Sequence, residues 1–199
     1  MRSRLRPVPG QIALGLVDDA GVMCDTLVGH LQGERRRAKY IREMGMHRGA
    51  ARIDLAVVDD SLDGYEIKSP RDDLRRLAAQ VSAYSQVFDH LTLVGTEHHL
   101  EGAARTVPRW WGLTVMDVRT SMVHVVRSAA PNPGPDPAAL VHLLWREEML
   151  EVLEARTGKT PSGHNGAVRQ RLMAEMSADE VRATVRRCLS ERRGWPAAG

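Results

Sequence analysis

Lysine is nearly missing from this chain: of 28 basic residues only Lys39, Lys68 and Lys159 are lysine, and the rest are arginine. A drift of coding composition explains the bias, and each surviving lysine then gains interest wherever a compact ammonium cannot be replaced by a planar guanidinium. Cysteine is equally scarce. Cys24 and Cys188 lie far apart in no paired spacing, which argues against a disulfide framework or a cysteine zinc site. No pair of the eight histidines falls in a His-x-x-x-His frame, and the adjacent His98 and His99 cannot share a helix face, so a histidine metal site is not expected either. Long apolar runs are absent too. No stretch approaches the ~20 residues of a membrane span, and Ile12 to Val17 is cut off at once by Asp18 and Asp19. That stretch is too short for a secretory signal core despite Arg2, Arg4 and Arg6 ahead of it. A cytoplasmic protein without membrane association is expected.

What is present suffices for a core, since 43% of the 199 residues are hydrophobic, an ordinary share for a globular chain. The formal net charge is only +3, but its distribution is uneven: residues 1–50 carry nine basic and five acidic side chains, residues 165–199 seven and four, and the middle is net acidic. Basic ends around an acidic centre suit a polyanion-binding protein whose centre holds a cation; scattered arginines on a solvated surface give the same count.

Residues 1–10 read as a loose arm. The pattern from about Cys24 to Met44 predicts a helix, with Leu27, Val28, Leu31, Ala38 and Ile41 as its apolar stripe and Gly45 as its stop. Ala51 to Val58 reads as a strand, 59–63 as polar turn, and Gly64 to Ser69 as the returning strand of a hairpin that Pro70 ends. Residues 72–88 repeat Leu74, Leu77, Ala78, Val81, Tyr84 and Phe88 at helical spacing. A strand at 91–94, a helix at about 97–106 and strands at 112–118 and 122–126 complete an α/β layer with a mixed sheet. Four prolines and a glycine in 131–137 predict a stiff linker. Three helices follow, the last opened by a capping box of Ser177 and Glu180. The expected organisation is thus a domain over 1–130, a linker at 131–137 and a helical extension over 138–199.

The chemistry concentrates in the hairpin. Glu66 and Lys68, two apart on one strand, project from one face, and a simple antiparallel register brings Asp54 beside Glu66, with Ile53, Leu55, Tyr65 and Ile67 on the other face. Two adjacent carboxylates repel, and a divalent cation resolves the conflict. Magnesium prefers hard oxygen ligands and uses one or two carboxylates with water, so Asp54, Glu66 and the main-chain carbonyl of Ile67 form a candidate half-shell. Lys68 is placed to stabilise charge on a phosphate or to orient attacking water. Gln80 and Tyr84, four apart on the next helix, share a face bordering that cluster. The competing reading is a surface charge ladder, with Tyr84 a core aromatic and Gln80 a boundary residue. Apolar flanks on a predicted hairpin, followed by an amphipathic helix, favour the cluster.

The strings Gly49-Ala-Ala-Arg-Ile-Asp-Leu-Ala-Val-Val, Gly64-Tyr-Glu-Ile-Lys-Ser and Gln80-x-x-x-Tyr84 resemble the PD-(D/E)XK nuclease superfamily, and more narrowly a bacterial MmcB-like group linked to DNA repair. The resemblance implies a restriction-endonuclease-like core, a helix before a mixed sheet sandwiched by helices. It also implies Asp54, Glu66 and Lys68 as catalytic residues, Gln80 and Tyr84 as an accessory pair, and Mg2+ (or Mn2+) as cofactor. An additional acid from the first helix would be Glu43, with Glu34 second. Ile53 stands where the superfamily's name places proline. Arg52, Arg71 and Arg75 are candidates to contact DNA. Arg35-Arg36-Arg37 with Lys39, and Arg182, Arg186 and Arg187 on the last helix, either touch phosphates or solvate their helices. Trp110 and Trp111 either stack on a base or, as expected here, pack inside.

Three functions compete. The leading expectation is a metal-dependent DNA endonuclease of repair or defence. The second is a non-hydrolytic nucleic-acid-binding module that recruits a partner. The third is a regulatory or toxin-like protein whose residues 138–199 make a protein interface or a homo-oligomer.

Overall fold

The computed structural model describes residues 19–69, 72–117 and 119–194; residues 1–18 with the N-terminal arm, Pro70, Arg71, Val118 and residues 195–199 lie outside them. Helix α1, Asp19–Glu34, is followed by six strands in one sheet: β1 Lys39–Met46, β2 Ala51–Val58, β3 Leu62–Lys68, β4 His90–Gly95, β5 Gly112–Asp117 and β6 Met122–Arg127. Their order across the sheet is their order in the chain. The pairs β1–β2, β2–β3 and β5–β6 are antiparallel, and β3–β4 and β4–β5 are parallel. Each parallel step needs a crossover, which α2 (Leu77–Ser85) and α3 (Glu97–Ala103) supply. Helices α4 Pro137–Val141, α5 Arg146–Thr157, α6 Asn165–Glu175 and α7 Ala178–Glu191 close the chain. The expected mixed α/β layer is therefore present. No helix among the described residues is long and apolar enough to cross a membrane.

The first helix stops ten residues before its predicted end, and the stretch read as its second half is β1. The apolar residues Ala38 and Ile41 fit either period, and tertiary pairing decides. Arg35 sits just past the helix and donates from Nε to Asp59 at 2.7 Å and from Nη1 to Asp63 at 2.5 Å, pinning the turn to the far end of the β2–β3 hairpin. From there the chain can only run back along β2, with Ile41, Met44 and Met46 buried.

Two apolar layers sandwich the sheet. Helix α1 covers one face with Met23, Leu27 and Leu31 against Leu55, Val57, Ile67, Val94 and Met116. The other face carries Ile53, Val58, Leu91, Leu93 and Leu113 against α2, α3 and the C-terminal helices. Leu140, Val141, Leu153, Leu172, Val181, Val185 and Leu189 belong to this same cluster, so residues 138–194 share the core of the sheet.

The proline-rich segment is tied down as well. The Asn132 side-chain amide donates to the carbonyls of Ser85 and Phe88, each at 2.7 Å, and Asp136 N–H donates to Gln86 O at 2.8 Å. These bonds satisfy carbonyls left open at the end of α2. At the other end Arg192, buried, grips Glu148 with two nitrogens at 2.8 and 2.6 Å. The Ser177–Glu180 capping box forms as expected. Arg182, Arg186 and Arg187 lie within 4 Å of Asp179, Asp89 and Glu191, and Lys39 donates to the carbonyls of Ser190 and Arg192.

Candidate active site

The cluster forms where strand pairing fails. Strands β2 and β3 pair from Val58↔Leu62 to Leu55↔Tyr65, and the ladder ends there, one residue short of Asp54 and Glu66. On the other side, β1 pairs with β2 at Arg42↔Leu55 and Met44↔Ile53 but not at Glu43, whose φ is 52°. Positive φ is uncommon for a residue other than glycine and marks a locally distorted strand. Ile53 consequently packs in the α2-side core and Leu55 in the α1-side core, although residues two apart on a regular strand share a face. This corrects the expectation that Ile53, Leu55, Tyr65 and Ile67 lie together: Ile53 departs, because β2 is kinked at Asp54. In place of a ladder bond, the Ile67 N–H donates to Asp54 Oδ2 at 2.6 Å.

Glu66 is 2% exposed. Its Oε1 accepts from Lys68 Nζ at 2.7 Å and from Gln80 Nε2 at 2.6 Å. Lys68, also buried, donates to Gln80 Oε1 at 3.0 Å, so the amide bridges both charges of the strand. Gln80 Nε2 further reaches the Tyr84 hydroxyl at 3.2 Å. That hydroxyl borders the Glu66 carboxylate too, but it has one proton, and its 2.6 Å contact with the carbonyl of Arg52 claims it. Glu66 Oε2 is buried with no hydrogen-bond partner. A buried carboxylate oxygen without a donor is costly and calls for a positive group.

The electrostatics agree. Burial pushes the Asp54 carboxyl up to about 7; the charge of Glu66 adds to this, the Ile67 N–H opposes it, and Glu43 and Lys68 act more weakly, the first raising and the second lowering it. Burial also raises Glu66, against the pull of Lys68. Tyr84 is raised by burial and by the charge of Glu66, so it stays a neutral phenol.

These groups line a cleft of about 400 Å³. Its floor holds Asp54, Glu66, Ile67, Lys68, Gln80 and Tyr84. The donor set fits a hard divalent cation: two carboxylates, one with a stranded oxygen, beside a main chain left unpaired by the split strands. Among the described residues no third His, Cys, Asp or Glu joins them to make a larger ligand group, a number compatible with magnesium, which takes one or two carboxylates and completes its shell with water.

The other sequence candidates are placed differently. Glu43 lies on β1, not on the first helix, exposed and ion-paired to Arg52 at 2.6 Å. Glu34 stands across the sheet, 4.0 Å from His30 and beside a separate groove with Tyr65 and His90. Arg52 lines the cleft. Arg75 does not; it bonds Asp73 in the turn before α2. Arg71 lies outside the described residues. Two cleft residues were missed, Asp72 and Arg76. Asp72 accepts from the Ser69 N–H at 2.7 Å and so shapes the loop after Lys68. The spacing of Arg76, Gln80 and Tyr84 by four was a usable signal for Arg76. Trp111 is fully buried and stacks on Tyr84 with ring centroids 6.5 Å apart.

Fold and site together define a mixed α/β protein with a buried carboxylate–lysine–amide cluster in a cleft opened by a strand break. The chain belongs to the family of bacteriophage P4 protein cII, whose sequence model matches residues 23–194 and thus spans sheet and C-terminal helices alike. Protein cII of Enterobacteria phage P4 is 39% identical over 57 residues, which make up 29% of this chain and 22% of the phage protein. Among solved structures, the SPO1766 protein of unknown function from Silicibacter pomeroyi is similar with a TM-score of 0.49 and 18% identity, over 73% of this chain and 97% of that one.

Proposed function

We propose that the protein is a magnesium-dependent deoxyribonuclease of the PD-(D/E)XK, restriction-endonuclease-like kind. One observation carries the reading: Glu66 is 2% exposed, one of its oxygens is held by Lys68 and Gln80, and the other has no protein donor in a cleft it shares with Asp54. A salt bridge built for stability would satisfy both oxygens, because stranding one costs as much as the pair gains.

In this reading Asp54 and Glu66 hold Mg2+ or Mn2+, with the Ile67 carbonyl as a further oxygen. When bound, such an ion acidifies water and neutralises charge on a phosphate. Lys68 places its ammonium against a non-bridging oxygen of the scissile phosphate, where negative charge grows as water attacks in line. Water's oxygen bonds to phosphorus as the bond from phosphorus to the 3′ oxygen breaks, and that oxygen takes a proton from solvent, leaving a 5′-phosphate and a 3′-hydroxyl. Gln80 holds Glu66 and Lys68 in register by bonding both. Tyr84 orients Gln80 and anchors α2 to the kinked part of β2 through Arg52 O.

The test is incubation of plasmid and single-stranded DNA with Mg2+ or Mn2+. Cleavage is expected for the wild type and is lost at least ~100-fold in Asp54→Ala and Lys68→Ala, as for removal of a main electrostatic stabiliser. Cleavage that survives both substitutions overturns the reading. DNA binding with no metal-dependent product would leave a non-catalytic nucleic-acid module.

A further inference from the structure

Arg76, Ala79, Gln80, Ala83 and Tyr84 recur at the three- and four-residue intervals that share a helix face, and all five line the cleft. Gln80 and Tyr84 occupy its floor. Arg76, at the N-cap of α2, stands one turn before Gln80 and is exposed where Gln80 is half-buried. Its neighbours' charges are committed: Arg52 to Glu43 and Arg75 to Asp73. Arg76 makes no ion pair among the described residues. The walls around it are low, with Ala79 and Ala83 on the helix and Gly49, Ala50 and Ala51 on the facing turn. A phosphodiester chain can therefore approach the main chain closely, and a guanidinium, which forks onto phosphate oxygens, waits about one helical turn, ~6 Å along the axis, from the Gln80 position.

We propose that Arg76 binds the DNA phosphate next to the scissile one and so fixes the direction in which a strand enters the cleft. This deepens the nuclease reading and rests on it. The residue touches substrate without touching the metal ligands, so substrate affinity and ion affinity must separate.

The experiment measures binding of a fluorescent DNA oligonucleotide by anisotropy across a salt series, with Ca2+ replacing Mg2+ to suppress turnover, alongside calorimetric titration of Mn2+ without DNA. Wild type, Arg76→Ala, Arg76→Lys and Arg75→Ala are compared. One phosphate contact contributes about 0.7–0.9 to the slope of log affinity against log salt. Arg76→Ala is expected to lose about that much slope and to bind roughly tenfold more weakly at low salt, while its Mn2+ affinity is unchanged. Arg76→Lys keeps the slope, and Arg75→Ala matches wild type. An unchanged slope in Arg76→Ala, in a protein that still binds and cleaves DNA, overturns this inference and spares the nuclease. A wild type that neither binds nor cleaves DNA overturns the nuclease reading and this inference with it.

Discussion

The Asp54 carboxylate accepts a 2.6 Å hydrogen bond from the main-chain N–H of Ile67, so a side chain takes the place that the neighbouring strand's carbonyl would fill in an unbroken ladder. The bond does two things at once. It satisfies a buried main-chain donor, and it holds one acid beside the other although burial and mutual repulsion disfavour both charges.

Metal-free stability should depend on pH through Asp54. Its carboxyl titrates near 3.8 when unperturbed and near 7 in the fold. Between these values the folded state keeps a proton that the unfolded chain has released, so stability is greatest at the acid end and falls as pH rises from about 4 to about 7. In the proposed reading a divalent cation takes the place of that proton. The rise in Tm on adding Mn2+ should therefore grow between pH 6 and pH 8. In Asp54→Asn the acid-side gain should shrink to the part that buried Glu66 contributes and the Mn2+ response should vanish; a pH-independent Mn2+ response in the wild type contradicts the assignment.

Glu66→Gln separates burial from repulsion. The amide keeps a hydrogen-bonding group against Gln80 and Lys68 but removes the charge facing Asp54. Carboxyl NMR titration of Asp54 should show its pKa falling, yet staying above 3.8 because burial, the larger cause, remains. An unmoved titration means that the two acids do not share a field.

Gly64 should tolerate no side chain. A Cβ there would lie 2.6 Å from Ile53 Cδ1, 2.7 Å from Leu91 Cδ2 and 2.9 Å from Phe88 Cγ. Gly64→Ala is expected to cost about 1–3 kcal/mol in urea unfolding, the range for overpacked cores, and to weaken the proposed cleavage because Ile53 adjoins Asp54.

A chain ending at Ala130 should not fold to the same state. It would strip Leu140, Val141, Val181, Val185 and Leu189 from the cluster that covers the sheet, baring the face where α7 meets β2. Dye binding and loss of a cooperative thermal transition would register this; a compact, cooperatively melting 1–130 fragment would count against a shared core.

The hairpin and its acids were legible in the sequence because Gly64 to Ser69 alternates strictly and alternation maps directly onto faces. The kink at Asp54 was not, since nothing in Ile53-Asp54-Leu55 announces a break that depends on Glu43 across the sheet. β1 was lost to the helix before it because Leu31, Ala38 and Ile41 suit a helical period, and only the reach of Arg35 to Asp59 and Asp63 turns the chain. The prolines of 131–137 looked like a spacer. Asn132, a single amide among them, makes the segment a clasp on α2, a contact that no local pattern encodes.

Tyr84 ends one hydrogen bond from Arg52 O while its ring meets Phe88 edge-on and lies along Trp111. The wall bearing Gln80 is thereby riveted to the deepest part of the interior. Opening the gap between α2 and β2 would mean pulling Tyr84 off both the Arg52 carbonyl and the Trp111 ring, so the width of the cleft is set by the core before anything enters it.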